Sequence, residues 1–233
     1  DAWATSEIIQ LSDTVRAAYD GYHFRRAHEA LFNFCNDTMS AIYLAAVKDR
    51  LYCDAPGSRR RRRTQSTLHR IADVLIRLLA PVMPHTADEA WRTLTDDDDA
   101  CVHLLPFADV DCMRNIPVDE RWGKVIDARD GWLKAIETVR AGGEIDNPLD
   151  LAVVAPSPAG LLDGFDANDL ADLCAVSRFE VAPEGADVAV RDLRAEPRCE
   201  RSWKRDGTVK AYSVDGVECL LSTRDAAAVG AAG

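Results

Sequence analysis

Along the first half of the chain, apolar residues recur every three or four positions, which lines them up on one face of an α-helix. Ile8, Leu11, Val15 and Tyr19 make a first stripe, interrupted at Gly21. A second runs through Phe24, Ala27, Leu31, Phe34, Met39, Ile42, Val47 and Leu51, and ends near Cys53 at the turn-like Asp54-Ala-Pro-Gly-Ser58. A third carries Leu68, Ile71, Leu75, Leu78 and Leu79 and stops at Pro81 and Pro84. Thr86 and Glu89 have capping-box spacing, predicting a short helix through Trp91 and Leu94. Four amphipathic helices with short connections predict an antiparallel bundle.

The second half has a different rhythm. Asp96 to Asp99 is a like-charge run expected at a solvated turn. Residues 100–117 hold no period, and Pro106 and Pro117 mark an irregular crossing segment. A helix is expected from Asp119, with Trp122, Val125, Ile126, Arg129, Leu133, Ile136 and Val139 on its faces, ending at Gly142-Gly143. Leu151 to Ala155 reads as a strand, Asp166 to Leu173 as a helix and Ser177 to Val181 as a second strand. The expected fold class is mainly α: an antiparallel bundle, then a long helix and a small α/β C-terminal piece. The expected divisions are 1–105 for the bundle, 106–150 for the crossing segment and connecting helix, 151–198 for the α/β piece, and 199–233 for a tail.

Composition adds limits. At 47 % hydrophobic and 29 % charged residues, the chain has an ordinary globular balance. No apolar run approaches a bilayer span, and the N-terminus lacks a signal-peptide pattern, so a cytoplasmic chain with no membrane partner is expected. Seven scattered cysteines without a C-x-x-C pair do not form a disulfide framework, and Cys35 and Cys174 read as buried thiols. The net charge of −11 argues against a broadly basic RNA binder, but it is unevenly spread: residues 1–95 balance at +2 and residues 96–233 at −13. A local grip on RNA needs a basic face, not a basic total. His23, His28, His69, His85 and His103 are dispersed, with no spacing that suggests a metal or a nucleophile.

Leu31-Phe-Asn-Phe-Cys-Asn-Asp-Thr-Met-Ser-Ala-Ile-Tyr-Leu44, with Val47-Lys-Asp-Arg-Leu-Tyr52, resembles the anticodon-binding helix of bacterial-type isoleucyl-tRNA synthetases. Leu78 to Trp91, reading L-L-A-P-V-M-P-H-T-A-D-E-A-W, is similar to a second motif of that family. Trp122, Arg129 and Ala135 to Arg140 resemble a third, and Ile145 to Asp150 a fourth. The likeness is strongest over residues 1–95, clear to about 155 and faint beyond. It implies the C-terminal, anticodon-binding region of the family, whose partner is the anticodon stem-loop of isoleucine tRNA. The class I signatures H-x-G-H and K-M-S-K-S are absent. The resemblance therefore implies that ATP- and Mg-dependent aminoacylation, and editing, belong to domains N-terminal to this piece. The piece itself should carry no cofactor, act as a monomer and be inactive alone, and its opening inside a helical pattern fits a cut from a longer chain. A valyl or leucyl relative is the alternative within the enzyme class, and a free-standing RNA-binding or scaffolding bundle is the alternative outside it.

Candidate site residues at Lys48, Arg50 and Trp203 follow from this likeness, whereas the run Arg59 to Arg63 lies outside the family's motifs and gains nothing from it. The family uses a lysine at the position of Lys48 in anticodon recognition, and a flexible ammonium suits a phosphate or a base edge. Arg50 is a weaker candidate, since Asp49 and Arg50 also read as a structural ion pair. Arg59 to Arg63 reads as a solvated run on the connection between helices or as a phosphate-contacting patch, with Arg60 a weak candidate. The family's tail carries a zinc knuckle of form C-x-R-C-W…L-C-x-R-C-x-x-A-V. Here the four ligand positions hold Cys199, Ser202, Ser222 and Asp225, a set expected to hold no zinc. Trp203 keeps the family's knuckle tryptophan, which is implicated in stacking on the anticodon. It reads equally as a base-stacking surface or as core. Trp91, Trp122 and Trp132 read as core.

Overall fold

The computed structural model describes residues 1–143 and 145–231. They form two compact units, each discontinuous in sequence: Asp1–Tyr43 with Arg62–Asp119, and Leu44–Arg61 with Glu120–Gly233. The last two positions of the second unit, and Glu144, lie outside the described residues. The ranges 1–105, 106–150, 151–198 and 199–233 therefore do not map one-to-one onto these units.

The first unit is helical. Its α1 (Ala2–Asp20) buries Ile8, Leu11 and Val15 as the stripe anticipates, together with Ala4 and Ala18. The chain then re-enters a helix as α2 (Phe24–Asn33) and continues without a break as a π-helical stretch, Phe34–Leu44. In a π-helix each N–H reaches back five residues instead of four. That is a correction to the uninterrupted α-helix expected here, and the buried positions give its physical reason. They run Ala27, Leu31, Phe34, Met39, Tyr43, with one five-residue step that the wider turn absorbs. The buried face shifts by one residue, so Tyr43 replaces Ile42 inside.

The third long helix, α4 (Arg59–Leu79), buries Thr64, Ile71, Val74 and Leu78. Hydrogen bonds fix the helix directions. Asp1 Oδ1 accepts from Tyr43 at 2.7 Å and from Thr64 at 3.0 Å, while Tyr19 donates to the Leu78 carbonyl at 2.9 Å. Both ends of α1 thus meet the corresponding ends of α4, and the start of α1 meets the far end of the π-helical stretch. The order is up, down, up, the antiparallel arrangement that short connections predict.

α5 (Pro84–Thr95) opens differently from expectation. Thr86 lies inside the first turn and makes no cap; Pro84 occupies the first helical position, where its missing N–H costs nothing and its φ is already helical. Residues 100–117 are largely irregular, as read, but contain α6 (Asp111–Arg114) and are anchored by buried Val102, Ala108, Val110 and Met113.

The second unit contains α3 (Ala45–Cys53) and α7 (Trp122–Ala141), then β1 (Leu151–Pro156), α8 (Ala167–Cys174) and β2 (Arg178–Ala182). β1 pairs in parallel with β2 across the α8 crossover, so the anticipated strand–helix–strand piece is present. Asp166 caps α8 by accepting from the Asn168 N–H. Trp132 of α7 is buried edge-on against Phe179 of β2, with ring centroids 4.8 Å apart. β3 (Ala189–Asp192), antiparallel to β1, was not expected. Nor was the hairpin of β4 (Lys210–Val214) and β5 (Val217–Leu221), followed by α9 (Thr223–Ala228). Its turn is Asp215-Gly216, both at positive φ, a strong short-range hairpin signal that the sequence reading passed over. Among the described residues no helix is long and apolar enough to cross a membrane.

Candidate nucleic-acid interface

The end of α3 and the tail residues 199–206 lie in the second unit, and their side chains meet there. Lys48 is exposed, and among the described residues it has no ion-pair partner. It borders a cavity of about 430 Å³ whose walls are Ala45, Tyr52, Pro148, Leu149 and Val176, with Ser202 and Lys204 from the tail. Tyr52 is 72 % exposed beside it, and the Arg201 guanidinium donates to the Tyr52 carbonyl at 3.1 Å, joining the tail to the helix end. Trp203 is 55 % exposed and sits at φ +63°, a left-handed conformation that a bulky residue rarely adopts. Its ring faces solvent, with Arg198 5.5 Å above it. The indole therefore lies at the surface and not in the core. Trp132 is buried, while Trp91 and Trp122 are only partly covered.

The arginine candidates are placed otherwise. Arg50 is 6 % exposed; its guanidinium donates to Asp169 at 2.7 Å and lies 3.5 Å from Asp172. Its partner is therefore Asp169, and Asp49 pairs instead with Arg224. The run Arg59–Arg63 is not a connection but the first turns of α4. Arg60 grips the Asp54 carboxylate through two hydrogen bonds of 3.0 and 3.2 Å, and Arg61 donates to the Asp54 carbonyl. Cations at a helix N-terminus oppose its dipole, and Asp54 offsets that. The exposed guanidiniums of the run are Arg59, Arg62 and Arg63.

Beneath Lys48 lies a network that sequence reasoning missed. Asp49 faces Arg224, Lys204 and Arg60, while Asp172 faces Lys204, Arg50 and Arg60. Burial raises the Asp49 carboxyl, but Arg224, Lys204 and Arg60 outweigh it and hold it below the usual range. For Asp172, burial wins: even beside Lys204 its carboxyl is pushed up, with Asp49 adding to the rise. Burial also raises the thiols of Cys35, which is only partly buried, and of Cys174, to about 12 for the latter.

The four knuckle positions also converge. Asp225 is fully buried, and its Oδ2 accepts from Ser202 at 2.7 Å, Ser222 at 2.8 Å and Cys199 at 3.2 Å. Cys219, three residues before Ser222, belongs to β5 and pairs across to Tyr212.

Residues 1–155 match the family model described as the anticodon-binding domain of tRNA ligase. The chain belongs to that family. Its relatives include the isoleucine–tRNA ligase of Syntrophotalea carbinolica, 34 % identical over 87 % of this chain and 23 % of that protein. The isoleucine–tRNA ligase of Geobacter sulfurreducens is 32 % identical over 94 % of this chain and 25 % of that protein. That of Agrobacterium fabrum is 33 % identical over 95 % and 24 %. The chain spans about a quarter of the length of these curated relatives.

Proposed function

We propose that this chain holds the anticodon stem-loop of an isoleucine tRNA, as one part of a longer isoleucine–tRNA ligase whose other domains activate the amino acid with ATP and Mg. The observation that carries this reading is the placement of Lys48. It stands unpaired at the mouth of a largely apolar cavity beside the exposed ring of Tyr52, and the tail residues on either side of the exposed Trp203, Ser202 and Lys204, line the same cavity. Single-stranded loops are recognised by such a combination: splayed bases stack on aromatic side chains, and a cation answers a base edge or phosphate. Arg50 and Arg60, matched by carboxylates within the protein, support the site from below and do not face the RNA. This part binds and does not itself catalyse. It works as a monomer in the cytoplasm beside the catalytic and editing domains of its own chain.

Lys48→Ala should weaken binding of the cognate tRNA by about 1–3 kcal/mol, the range for a lost specific base contact, with a smaller loss for non-cognate tRNAs. Filter-binding curves for both RNAs at two salt concentrations read this directly. An equal loss for every tRNA, with the salt slope reduced by about one unit, would assign Lys48 to a phosphate instead. No loss in a folded variant would remove the site from this face.

A further inference from the structure

The tail resembles a zinc knuckle, so the four converging side chains can be tested for fit to that metal. A structural zinc site gathers four thiolates or imidazoles around a cation. Here the set is one thiol, two neutral hydroxyls and one carboxylate, and the carboxylate is already matched by cations. Arg201 donates to its Oδ1 at 2.7 Å, and Arg224 to its Oδ2 at 3.2 Å. Two guanidinium groups so close would repel a divalent ion, and every hydroxyl or thiol proton that zinc would have to displace is directed at Asp225. The residues do not fit zinc.

What they form is the electrostatic inverse of a metal site. In a knuckle a buried cation draws in anionic ligands from two strands. Here a buried anion draws in donors from the same two segments, 199–202 and 222–225. We propose that the Asp225 carboxylate replaces the metal as the anchor of this tail, tying Cys199, Arg201 and Ser202 to Ser222 and Arg224 so that the tail folds without zinc.

Local structure supports this assignment. Ser222 caps α9 by accepting from the Asp225 N–H at 3.1 Å and donates its own hydroxyl proton to the Asp225 carboxylate, so cap and carboxylate hold each other. The Cys199 N–H donates to the Lys204 carbonyl, and the Trp203 N–H to the Cys199 carbonyl, closing a tight loop with Trp203 at its tip. Burial alone would raise the Asp225 carboxyl. The hydrogen bonds from Ser202 and Ser222, with Arg224 and Arg201, outweigh it and hold it at about 2, so the anchor remains an anion at neutral pH. An isolated buried carboxylate is costly, and five donors are what make this one stable. Asp225 thereby becomes a positioning residue for Trp203, whatever RNA the chain binds.

The experiment has three arms on the full chain. In the first, native protein purified without chelator is analysed for metal, and amide exchange of residues 199–228 is followed with and without a strong zinc chelator. We expect no stoichiometric zinc and unchanged protection; one zinc per chain, or protection lost on chelation, overturns the proposal. In the second, Asp225→Asn keeps the shape but turns an acceptor into a donor facing donors. Exchange over 199–204 and 222–228 should rise at least tenfold while residues 1–43 keep their protection, and added zinc should not restore it. An unchanged tail overturns the proposal. In the third, Ser202→Cys, Ser222→Cys and Asp225→Cys are combined with native Cys199 and titrated with cobalt(II). One equivalent bound with thiolate charge-transfer absorption is expected, because the four positions converge. A folded variant that binds none overturns the geometry, and should it not fold, the first arm still decides.

Discussion

The two units are held together by different means. In the first, the long helices bury Ile8, Val15, Leu31, Ile71 and Leu78, and several of its ion pairs, such as Arg25–Glu29 and Arg92–Asp88, are helix-surface contacts of small worth. In the second, an apolar core under α7 coexists with a largely buried charge network. Asp49, Asp54, Asp172 and Asp225 are matched there by Arg50, Arg60, Arg201, Lys204 and Arg224. Apolar packing tolerates small errors, because any neighbour of the right size will do. A buried ion does not, because each charge needs its own partner.

That contrast gives its largest expected effect at Lys204. Lys204→Met leaves Asp172 and Asp49 short of a cation, and removing one partner of a buried pair costs about 3–5 kcal/mol. Adding Asp172→Leu should recover most of that, since a matched apolar replacement is often neutral. In the first unit Ile8→Ala should cost about 2–5 kcal/mol through a cavity, with no charge substitution able to compensate. Urea melts followed by peptide-level amide exchange would localise each loss. Non-additivity confined to the charged pair sharpens the distinction; a single Lys204→Met variant as stable as the native chain breaks it.

Acid should separate the units next. Asp49 and Asp225 have folded carboxyls below the unfolded value of about 4, and that of Asp225 is about 2. The stability they contribute is complete above the unfolded value and lost as the pH falls toward about 2. Asp172 works in the opposite sense, because a raised carboxyl costs stability as the pH rises through it, and so it offsets part of the loss. We expect amide protection in the tail and α3 to fall between about pH 4 and 2 ahead of that in α1. Asp225→Asn, measured against its own neutral-pH value, should flatten the response. Equal acid sensitivity in α1 and the tail would remove the distinction.

This difference also explains what could be read in advance. The helices of the bundle were legible because each states its buried face within its own few turns: the α1 stripe is buried at Ile8, Leu11 and Val15, whereas on α4 only Ile71 and Leu78 of the expected stripe are buried, joined by Thr64, Thr67, Val74 and Ile76. The π-helical step was not, since only the packed structure shows that Tyr43, and not Ile42, turns inward. The network was invisible because its pairs are far apart in sequence: Arg50 and Asp169 are separated by 119 positions, Asp49 and Arg224 by 175. No local pattern states such a pairing. Within the candidate site, Lys48 and Trp203 came from motif positions, and the structure adds Tyr52 and the cavity that Lys48 borders. The hairpin signal Asp215-Gly216 was present and is readable; β3, a short edge strand with little alternation, carries no comparable mark.

The smallest effect concerns the arginine run, where two adjacent classes of guanidinium should behave oppositely. Arg60 is engaged by Asp54, so Arg60→Ala should lower stability while leaving tRNA discrimination as it was. Arg62 is exposed, and its loss should leave the fold untouched. If the first turn of α4 meets an RNA backbone at all, Arg62→Ala will weaken every tRNA alike, by no more than about 1 kcal/mol, and lower the salt slope by about one unit. Thermal melts combined with binding at two salt concentrations distinguish the two residues. A stability loss from Arg62→Ala, or a cognate-specific binding loss from Arg60→Ala, would mean that the carboxylate contact at Asp54 does not decide which arginines are structural. The division between charges that hold the protein and charges left for a ligand would then have to be drawn elsewhere.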